Sequence, residues 1–312
     1  MRLQVLMSTY NGEKYLREQL DSILSQTLFR NSDWETELIV RDDGSSDHTW
    51  EILEEYAGRN PEISVQRCEN IGVIASFFEL LENVPENVDF VAFSDQDDVW
   101  FEDKLECAVK ALCSKEKKEP KKPLLYCGMS ELVDEKLNPV PGIFFTDHIR
   151  PSFGNALVEN ICTGCTAVLN RKMIRLVQCR RPEFTAMHDW WLYLLASCYG
   201  EVVYDSIPHM YYRQHSGNAV GVRKNHFAEF WARVKRFKKN RYQISRQVKS
   251  LMNFTEAYEI PIDKTKREWM DQILDSRKHL GARFQMMGNR EIYRQRRVDD
   301  MIFRFIFLSG TI

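Results

Sequence analysis

Apolar runs of strand length alternate with helical patterns through the first third of the chain. Between the runs, apolar residues recur at helical spacing, for example in residues 49–56 and 74–81. Strands that alternate with helices form right-handed βαβ units around a mostly parallel sheet. We therefore predict an α/β fold, a mostly parallel sheet flanked by helices. The four apolar runs are residues 3–8, 34–41, 64–67 and 88–93.

Three carboxylates, those of Asp95, Asp97 and Asp98, follow the last of these runs within four positions. Open α/β sheets bind their ligands at the carboxyl ends of the strands. Carboxylates this close repel one another, and a divalent cation or a shared proton relieves the repulsion. The pattern indicates a metal site that holds a diphosphate. From these residues alone, the alternative is an acidic surface turn that caps the next helix.

Two further polar loops also follow predicted strands. The first is Thr9-Tyr10-Asn11-Gly12, and the second runs from Asp42 to Asp47. Because all these loops lie at strand carboxyl ends, we expect them to converge on one crevice. A plain type I turn is the alternative interpretation of Asp42-Asp43-Gly44.

Five motifs in consistent order over residues 3–221 resemble those of family 2 glycosyltransferases with a GT-A fold. The most similar subgroup is the bacterial cell-wall rhamnosyltransferases, which resemble this chain in the third and fifth motifs. Such enzymes transfer a sugar from a nucleotide-activated donor to an acceptor hydroxyl with inversion. The motifs are Met7-Ser-Thr-Tyr-Asn-Gly12, Arg41-Asp-Asp-Gly-Ser-Ser-Asp47, Ser94-Asp-Gln-Asp-Asp-Val-Trp100, Met187-His-Asp189 and Tyr212-Arg-Gln-His215.

The resemblance implies how the donor is bound. It assigns nucleotide binding to Ser8 and Tyr10 in the first loop and to Asp43, with Asp42 beside it, near the base. It also implies that Asp95 orients the ribose and the metal.

The resemblance further implies a divalent cation, Mn²⁺ or Mg²⁺, held by Asp97. Such a cation stabilises the departing diphosphate as a Lewis acid. His215 is expected to be a further ligand of the metal or of a phosphate, since neutral imidazole binds ions of the Mn²⁺ class. A hydrogen-bonded loop histidine is the alternative.

Asp189 matches the position of the catalytic base, the carboxylate that accepts a proton from the acceptor hydroxyl. Aspartate at a helix N-terminus is also a common cap, which is the alternative from spacing alone. His188, Trp100 and Gly164 are candidates for contacts with the acceptor or with a phosphate.

The sequence departs from the broader family pattern at Arg41, where an apolar residue is common. It also lacks the Gln-x-x-Arg-Trp segment associated with processive synthases. We therefore expect the transfer of one or a few sugars.

Charge is unevenly spread along the chain. Residues 1–221 hold roughly 22 Lys/Arg against 35 Asp/Glu, whereas residues 222–312 hold roughly 21 against 10. We therefore predict a catalytic domain over residues 1–221 and a basic, amphipathic helical region over residues 222–312.

The basic region has the features of a membrane-surface segment. Phe230, Trp231, Val234 and Phe237 lie at helical spacing beside several lysines and arginines, and residues 301–308 are a second apolar stretch. A basic amphipathic helix of this kind binds an anionic bilayer. The alternative is helical packing or a homodimer interface with a solvated basic face. No recognisable nucleic-acid module accompanies the basic residues, so nucleic-acid binding is not expected.

Neither a secretory signal nor a run of transmembrane length is recognisable in the sequence. A cytoplasmic protein, peripheral on the inner face of the cell membrane, is therefore expected. The expected reaction is the transfer of L-rhamnose from dTDP-L-rhamnose to a lipid-linked saccharide in cell-wall or surface polysaccharide synthesis. The alternatives are another donor, such as UDP-galactose or UDP-glucose, and a catalytically silent subunit that binds nucleotide sugars.

Overall fold

A computed structural model describes residues 1–140, 149–215, 242–257 and 261–308. The chain forms two compact units. The first comprises the described residues within Met1–Pro141, Cys162–Arg181 and Gly200–His215, and the second those within Gly142–Ile161, Pro182–Tyr199 and Ser216–Ile312. The boundary expected at residue 222 and the basic stretch that contains Phe230 to Phe237 lie outside the described residues.

The first unit is built on a seven-stranded sheet. The strands of this unit are β1 (Arg2–Thr9), β2 (Glu35–Asp42), β3 (Ile63–Arg67), β4 (Phe90–Ser94), β5 (Val99–Trp100), β6 (Leu124–Gly128), β7 (Glu131–Val133), β8 (Val168–Asn170), β9 (Glu201–Asp205) and β10 (Met210–Arg213). The large sheet has the order β3-β2-β1-β4-β8-β6-β9. Its pairs are parallel except those that β8 makes with β4 and β6. The predicted mostly parallel sheet is confirmed.

Helices follow the strands as the periodicity of the sequence predicts. In α1, for example, Leu16, Leu20 and Ile23 share one face and are completely buried. The described helices are α1 (Leu16–Leu24), α2 (Thr49–Arg59), α3 (Val73–Glu82), α4 (Lys104–Glu116), α5 (Phe153–Ala156), α6 (Arg171–Gln178), α7 (His188–Tyr199), α8 (Gln243–Ala257), α9 (Lys264–Asp275), α10 (Leu280–Gly288) and α11 (Arg297–Leu308).

The register of the central strands brings three loops to one edge of the sheet. Thr9 at the end of β1 pairs with Asp42 at the end of β2, and Met7 of β1 pairs with Ser94 at the end of β4. The loops that follow these strands therefore begin side by side, as expected from their positions after parallel strands.

A small three-stranded sheet lies within the same unit, in the order β5-β10-β7. Met210 of β10 pairs antiparallel with Trp100 of β5, and Arg213 of β10 pairs in parallel with Val133 of β7. Because β5 directly follows the acidic loop, this pairing brings the end of β10 next to that loop.

The second unit is helical where it is described. Trp191 of α7 packs edge to face on Phe254 of α8, with ring centroids 5.5 Å apart. Phe153 of α5 stacks on Trp269 of α9 at 6.2 Å. The expected C-terminal helical region is thus present. Among the described helices, none has both the length and the apolar character required to span a bilayer.

Gly200, at the start of β9, allows a close approach of two backbone segments. A Cβ atom at this position would lie 1.9 Å from the carbonyl oxygen of Pro123. We expect Gly200→Ala to lower the free energy of unfolding by about 1–3 kcal/mol, since the overlap forces the backbone to shift. Urea unfolding measures this change.

Gly58→Ala in α2 is the matched control, because a Cβ atom there would meet no other atom within 4 Å. This substitution should raise stability by up to about 1 kcal/mol, through the helical preference of alanine. Equal stabilities of the two variants would contradict the predicted overlap at Gly200.

Candidate active site

The acidic loop after β4 is held in place by one buried arginine. The backbone N–H of Arg213 donates to Asp98 Oδ1 (3.3 Å), and its Nε donates to the carbonyl oxygen of Asp97 (2.9 Å). The rest of the guanidinium donates to the Glu135 carbonyl oxygen (2.7 Å) and to the carboxylate of Glu18. Arg213 therefore fixes both the backbone of the loop and the deepest of its carboxyl groups.

Asp98 is the buried member of the three acids. Burial, followed by the charges of Asp97 and Asp95, raises the pKa of Asp98 well above its usual value. Lys104 lies fully buried nearby, its Nζ 3.5 Å from the centroid of the Trp100 ring, and burial lowers its pKa to about 8. The sequence indicated no distinct role for Asp98 or Lys104.

His215 lies against the acidic loop although 118 residues separate it from Asp97. Its Nε2 is 2.7 Å from Asp97 Oδ2, and its ring lies 5.2 Å from that of Tyr15. An imidazole nitrogen beside a carboxylate oxygen is a donor set that suits Mn²⁺ and, through the carboxylates, Mg²⁺. The two residues expected to hold a cation are thus brought together, and the hydrogen bond between them is also what the alternative, a hydrogen-bonded loop histidine, requires.

The carboxylates of Asp42 and Asp43 make different contacts. Asp42 accepts hydrogen bonds from Thr9 Oγ1 (3.1 Å) and from the N–H of Ser45 (3.1 Å), so it stabilises the start of its own loop. Asp43 instead reaches the loop before α3 and accepts from the N–H groups of Ile71 (3.0 Å) and Gly72 (2.8 Å). A plain type I turn over residues 42–44 does not account for these contacts of Asp43 with the loop before α3.

The first loop is clamped to the acidic loop by Gln96. The Tyr10 N–H donates to Gln96 Oε1 (2.8 Å), and Gln96 Nε2 donates back to the Tyr10 carbonyl oxygen (3.1 Å). The Tyr10 residue is 50% exposed. Ser8 is tied down in another way, by a 2.6 Å hydrogen bond between its hydroxyl and that of Ser76. Sequence reasoning gave Gln96 no role, although its position between Asp95 and Asp97 was a signal.

Asp189 belongs to the second unit, at the start of α7. Its Oδ1 accepts hydrogen bonds from Asn160 Nδ2 (2.9 Å) and from the N–H of Trp190 (2.6 Å). The second contact comes from the next residue in the chain, within the first turn of α7. The neighbouring His188 is buried, and burial lowers its pKa to about 3.

The two remaining candidates are buried in the first unit. Trp100 is 3% exposed and forms the surface on which Lys104 rests. Gly164 begins a short 3₁₀ helix, Gly164–Thr166, just before β8. The residues named from the sequence thus fall into a group around the carboxyl ends of β1, β2 and β4, these two buried positions, and the pair His188 and Asp189.

The sequence model of Glycosyl transferase family 2 matches residues 4–175, which is more than half of the chain. The chain belongs to this family. The match includes the first-loop motif, Asp43 and the acidic loop, and it ends before Asp189 and His215.

This family 2 glycosyltransferase is similar to characterised bacterial proteins. It is 31% identical over 233 residues to the dTDP-rhamnosyl transferase RfbG of Shigella flexneri, covering 69% of this chain and 73% of that protein. It is 33% identical over 114 residues to the minor teichoic acid biosynthesis protein GgaA of Bacillus subtilis, covering 36% of this chain and 25% of that protein.

Solved structures of low sequence identity share the fold. Residues 1–349 of S. aureus TarS in complex with UDP-GlcNAc align with a TM-score of 0.58 at 18% identity, covering all of this chain and 82% of that one. The mannosyltransferase PcManGT of Pyrobaculum calidifontis, in complex with GDP-Man and Mn²⁺, aligns with a TM-score of 0.54 at 16% identity, covering 91% and 71%. The GT-A fold expected from the sequence is confirmed.

The buried His188 predicts a pH dependence of stability. The folded protein keeps this imidazole neutral down to about pH 3, whereas the unfolded chain takes up a proton near pH 6.5. The unfolded state therefore binds more protons between these values, so the free energy of unfolding falls as the pH falls. The slope from this residue is at most about 1.4 kcal/mol per pH unit.

His188→Gln should remove this contribution, as measured by urea unfolding at neutral pH and at about two pH units lower. His48→Gln is the control, because the His48 side chain is 84% exposed. If the difference in stability between the two pH values were the same in wild type and His188→Gln, the assignment would be wrong.

Proposed function

We propose that this chain is an inverting glycosyltransferase that transfers L-rhamnose from dTDP-L-rhamnose to a lipid-linked saccharide in cell-wall or surface polysaccharide synthesis. The observation that carries the transfer chemistry is the pairing of Asp97 with His215 at 2.7 Å, next to the loops that contain Asp43 and Tyr10. The choice of rhamnose is supported by the 31% identity with RfbG over most of both chains.

In this proposal the donor nucleotide occupies the edge of the sheet where β1, β2 and β4 end. The exposed ring of Tyr10 stacks on the base, and Asp43, with Asp42 supporting its loop, lies at the edge of the base. Ser8 belongs to the same edge, and Asp95 orients the ribose.

Asp97 and His215 would hold a divalent cation, Mn²⁺ or Mg²⁺, beside the donor diphosphate. When bound, such a cation supplies Lewis-acid stabilisation of the negative charge that builds on the leaving group. Arg213 keeps Asp97 in position, because its Nε donates to the Asp97 carbonyl oxygen.

Asp189 acts as the general base in this proposal. It accepts the proton of the acceptor hydroxyl while that oxygen forms a bond to the anomeric carbon of the donor sugar. The bond from the anomeric carbon to the diphosphate oxygen breaks, and its electron pair leaves with the nucleoside diphosphate. Attack on the face opposite the leaving group inverts the anomeric centre. Asn160 orients the base through the 2.9 Å hydrogen bond to Asp189 Oδ1, while His188, Trp100 and Gly164 stay candidates for acceptor or phosphate contacts.

The proposal is tested by nucleoside diphosphate release with Mn²⁺ or Mg²⁺, a lipid-linked saccharide acceptor and a panel of donors. We expect release from dTDP-L-rhamnose, a reduction of about 10²–10⁴-fold in Asp189→Asn, and loss of release after addition of a chelator or in Asp97→Asn. Asp275→Asn is the matched control, because Asp275 is an exposed aspartate of the same unit as Asp189.

Each other outcome removes a different part of the proposal. Release from UDP-galactose or UDP-glucose instead would retain the reaction and discard the rhamnose donor. Donor binding by calorimetry without turnover of any donor would indicate a silent binding subunit. Full turnover in Asp189→Asn would exclude this residue as the base.

We further propose that the paired helices α10 and α11 contact the cytoplasmic face of an anionic membrane. The helices lie together, since Arg283 Nη1 of α10 donates to the carbonyl oxygen of Leu308 in α11 (3.2 Å). Residues 276–308 hold eight Lys/Arg and three Asp/Glu. Apolar side chains beside this positive charge suit a bilayer that carries anionic lipids. The large apolar residues exposed on the pair are Leu280, Phe284, Val298, Met301 and Phe305.

Flotation with phosphatidylglycerol vesicles tests the membrane contact. We expect the wild type to float with the vesicles and the double variant Met301→Asp, Phe305→Asp to lose most of this binding, because both side chains are more than two-thirds exposed. Ile207→Asp, at an exposed apolar residue of the first unit, should bind as the wild type does. If the double variant instead converts a dimer to a monomer without a change in flotation, these helices form a homodimer interface.

A further inference from the structure

Arg41 is a buried cation at the end of β2, directly before the two aspartates of the second loop. Only 5% of the residue is exposed. A buried guanidinium is costly unless its charge is compensated and its N–H groups are hydrogen-bonded. The position is therefore built around this side chain, at a place where an apolar residue is common in the family that the sequence resembles.

The partners of Arg41 connect three chain segments. Its Nη1 donates to the Asp43 carboxylate, with which it forms a buried ion pair, and to Ser76 Oγ of α3 (3.3 Å). Its Nη2 donates to the carbonyl oxygen of Glu69 (3.0 Å). Ser76 is in turn bonded to Ser8 of β1 (2.6 Å). Through one guanidinium, the ends of β1 and β2 and the start of α3 are held together.

Asp43 has nearly all of its acceptor capacity engaged by these groups. Arg41 and the Ile71 N–H donate to Oδ1, and the Gly72 N–H donates to Oδ2. A carboxylate offers four acceptor positions. Within the described part of the chain, the hydrogen bonds of Asp43 leave one acceptor position on Oδ2, and the side chain is only 3% exposed.

The two backbone segments that bind Asp43 carry exposed side chains. Asp43 donates its backbone N–H to the carbonyl oxygen of Thr9 (2.8 Å), and the next residue, Tyr10, is half exposed. On the other side, Ile71 is bonded to Asp43 through its N–H and is itself 44% exposed. A flat ring that met the Asp43 acceptor with its edge would have apolar surface for its faces.

We propose that Arg41 is a specificity-determining positioning residue, which directs Asp43 toward the ring N3–H of uracil or thymine in the donor nucleotide. The inference rests on the proposed function, since it concerns the nucleotide site of that reaction. Uracil and thymine carry a hydrogen on N3, whereas cytosine carries a lone pair there. A fixed carboxylate therefore favours the first two bases and repels the third. Without the guanidinium, two backbone N–H groups hold Asp43, and its side chain can turn away.

Calorimetric titration with UDP, dTDP and CDP in the presence of Mn²⁺ tests this role. The wild type should bind UDP and dTDP more tightly than CDP. In Arg41→Met, the affinity for UDP and dTDP should fall about tenfold or more, as expected for loss of a hydrogen bond to a charged group, while the affinity for CDP stays the same. Arg41→Lys should retain part of the preference for UDP and dTDP over CDP. This variant replaces Arg41→Met in the test if Arg41→Met fails to fold.

Two further variants separate this role from general support of the fold. Arg67→Met is the matched control, because Arg67 ends the neighbouring strand β3 and donates to the Ser45 carbonyl oxygen (3.1 Å) without contacting Asp43. It should leave the preference for UDP over CDP unchanged. In an Asp43→Asn background, Arg41→Met should cause no further loss of preference, because the two residues act as one unit.

The outcomes that overturn the inference differ from those that overturn the proposed function. If Arg41→Met lowered the affinities for UDP and CDP equally, or lowered neither, Arg41 would have only a structural role. The transferase proposal would be unaffected by this result. A wild-type preference for CDP would overturn the base assignment alone. Failure of the wild type to bind any nucleotide would overturn both.

Discussion

The crowding of three carboxyl groups after β4 is the constraint on which the site depends. Asp95, Asp97 and Asp98 follow a fully buried strand, so their charges cannot all be dispersed into water. Arg213 donates to the backbone of this loop, and burial raises the pKa of Asp98. Asp95 and Asp97, which are half-buried, are the carboxylates of this loop that the proposal assigns to the ribose and the cation. The small sheet lies beside this loop, and its strand β10 ends at Arg213, which binds the loop.

Parallel pairing of the central strands gives the acidic loop its neighbours. Since β1 lies between β2 and β4, the loops after all three begin at one edge of the sheet. Side chains then join the loops in pairs, through Gln96 between the first and acidic loops and through Arg41 between the second loop and α3. These contacts are hydrogen bonds that join backbone segments, so the edge is organised without the nucleotide of the proposed reaction. Preorganisation of this kind reduces the entropic cost of binding.

Residues assigned to donor binding lie in the first unit, at the ends of strands that the family 2 match covers or in the loops that follow them. The proposed base Asp189 lies in the second unit, where Asn160 orients it. The exposed apolar residues of α10 and α11 also lie in the second unit. In this proposal one unit recognises the nucleotide, while the other provides the base for the acceptor and the contact with the membrane.

The sequence by itself determined the local elements, the parallel sheet and the edge where the loops lie. Apolar periodicity indicates which residues of one element are buried. The resemblance of the motifs to those of family 2 glycosyltransferases named Asp43, Asp97 and His215 as candidates. The antiparallel entry of β8 between β4 and β6 had no signal of this kind, because strand pairing is set by contacts far apart in the chain. For the same reason, only the tertiary structure showed that Asp98 is buried, that Arg213 binds the acidic loop and that Arg41 binds Asp43 of the second loop. The cost of burying a charge depends on which distant groups surround it.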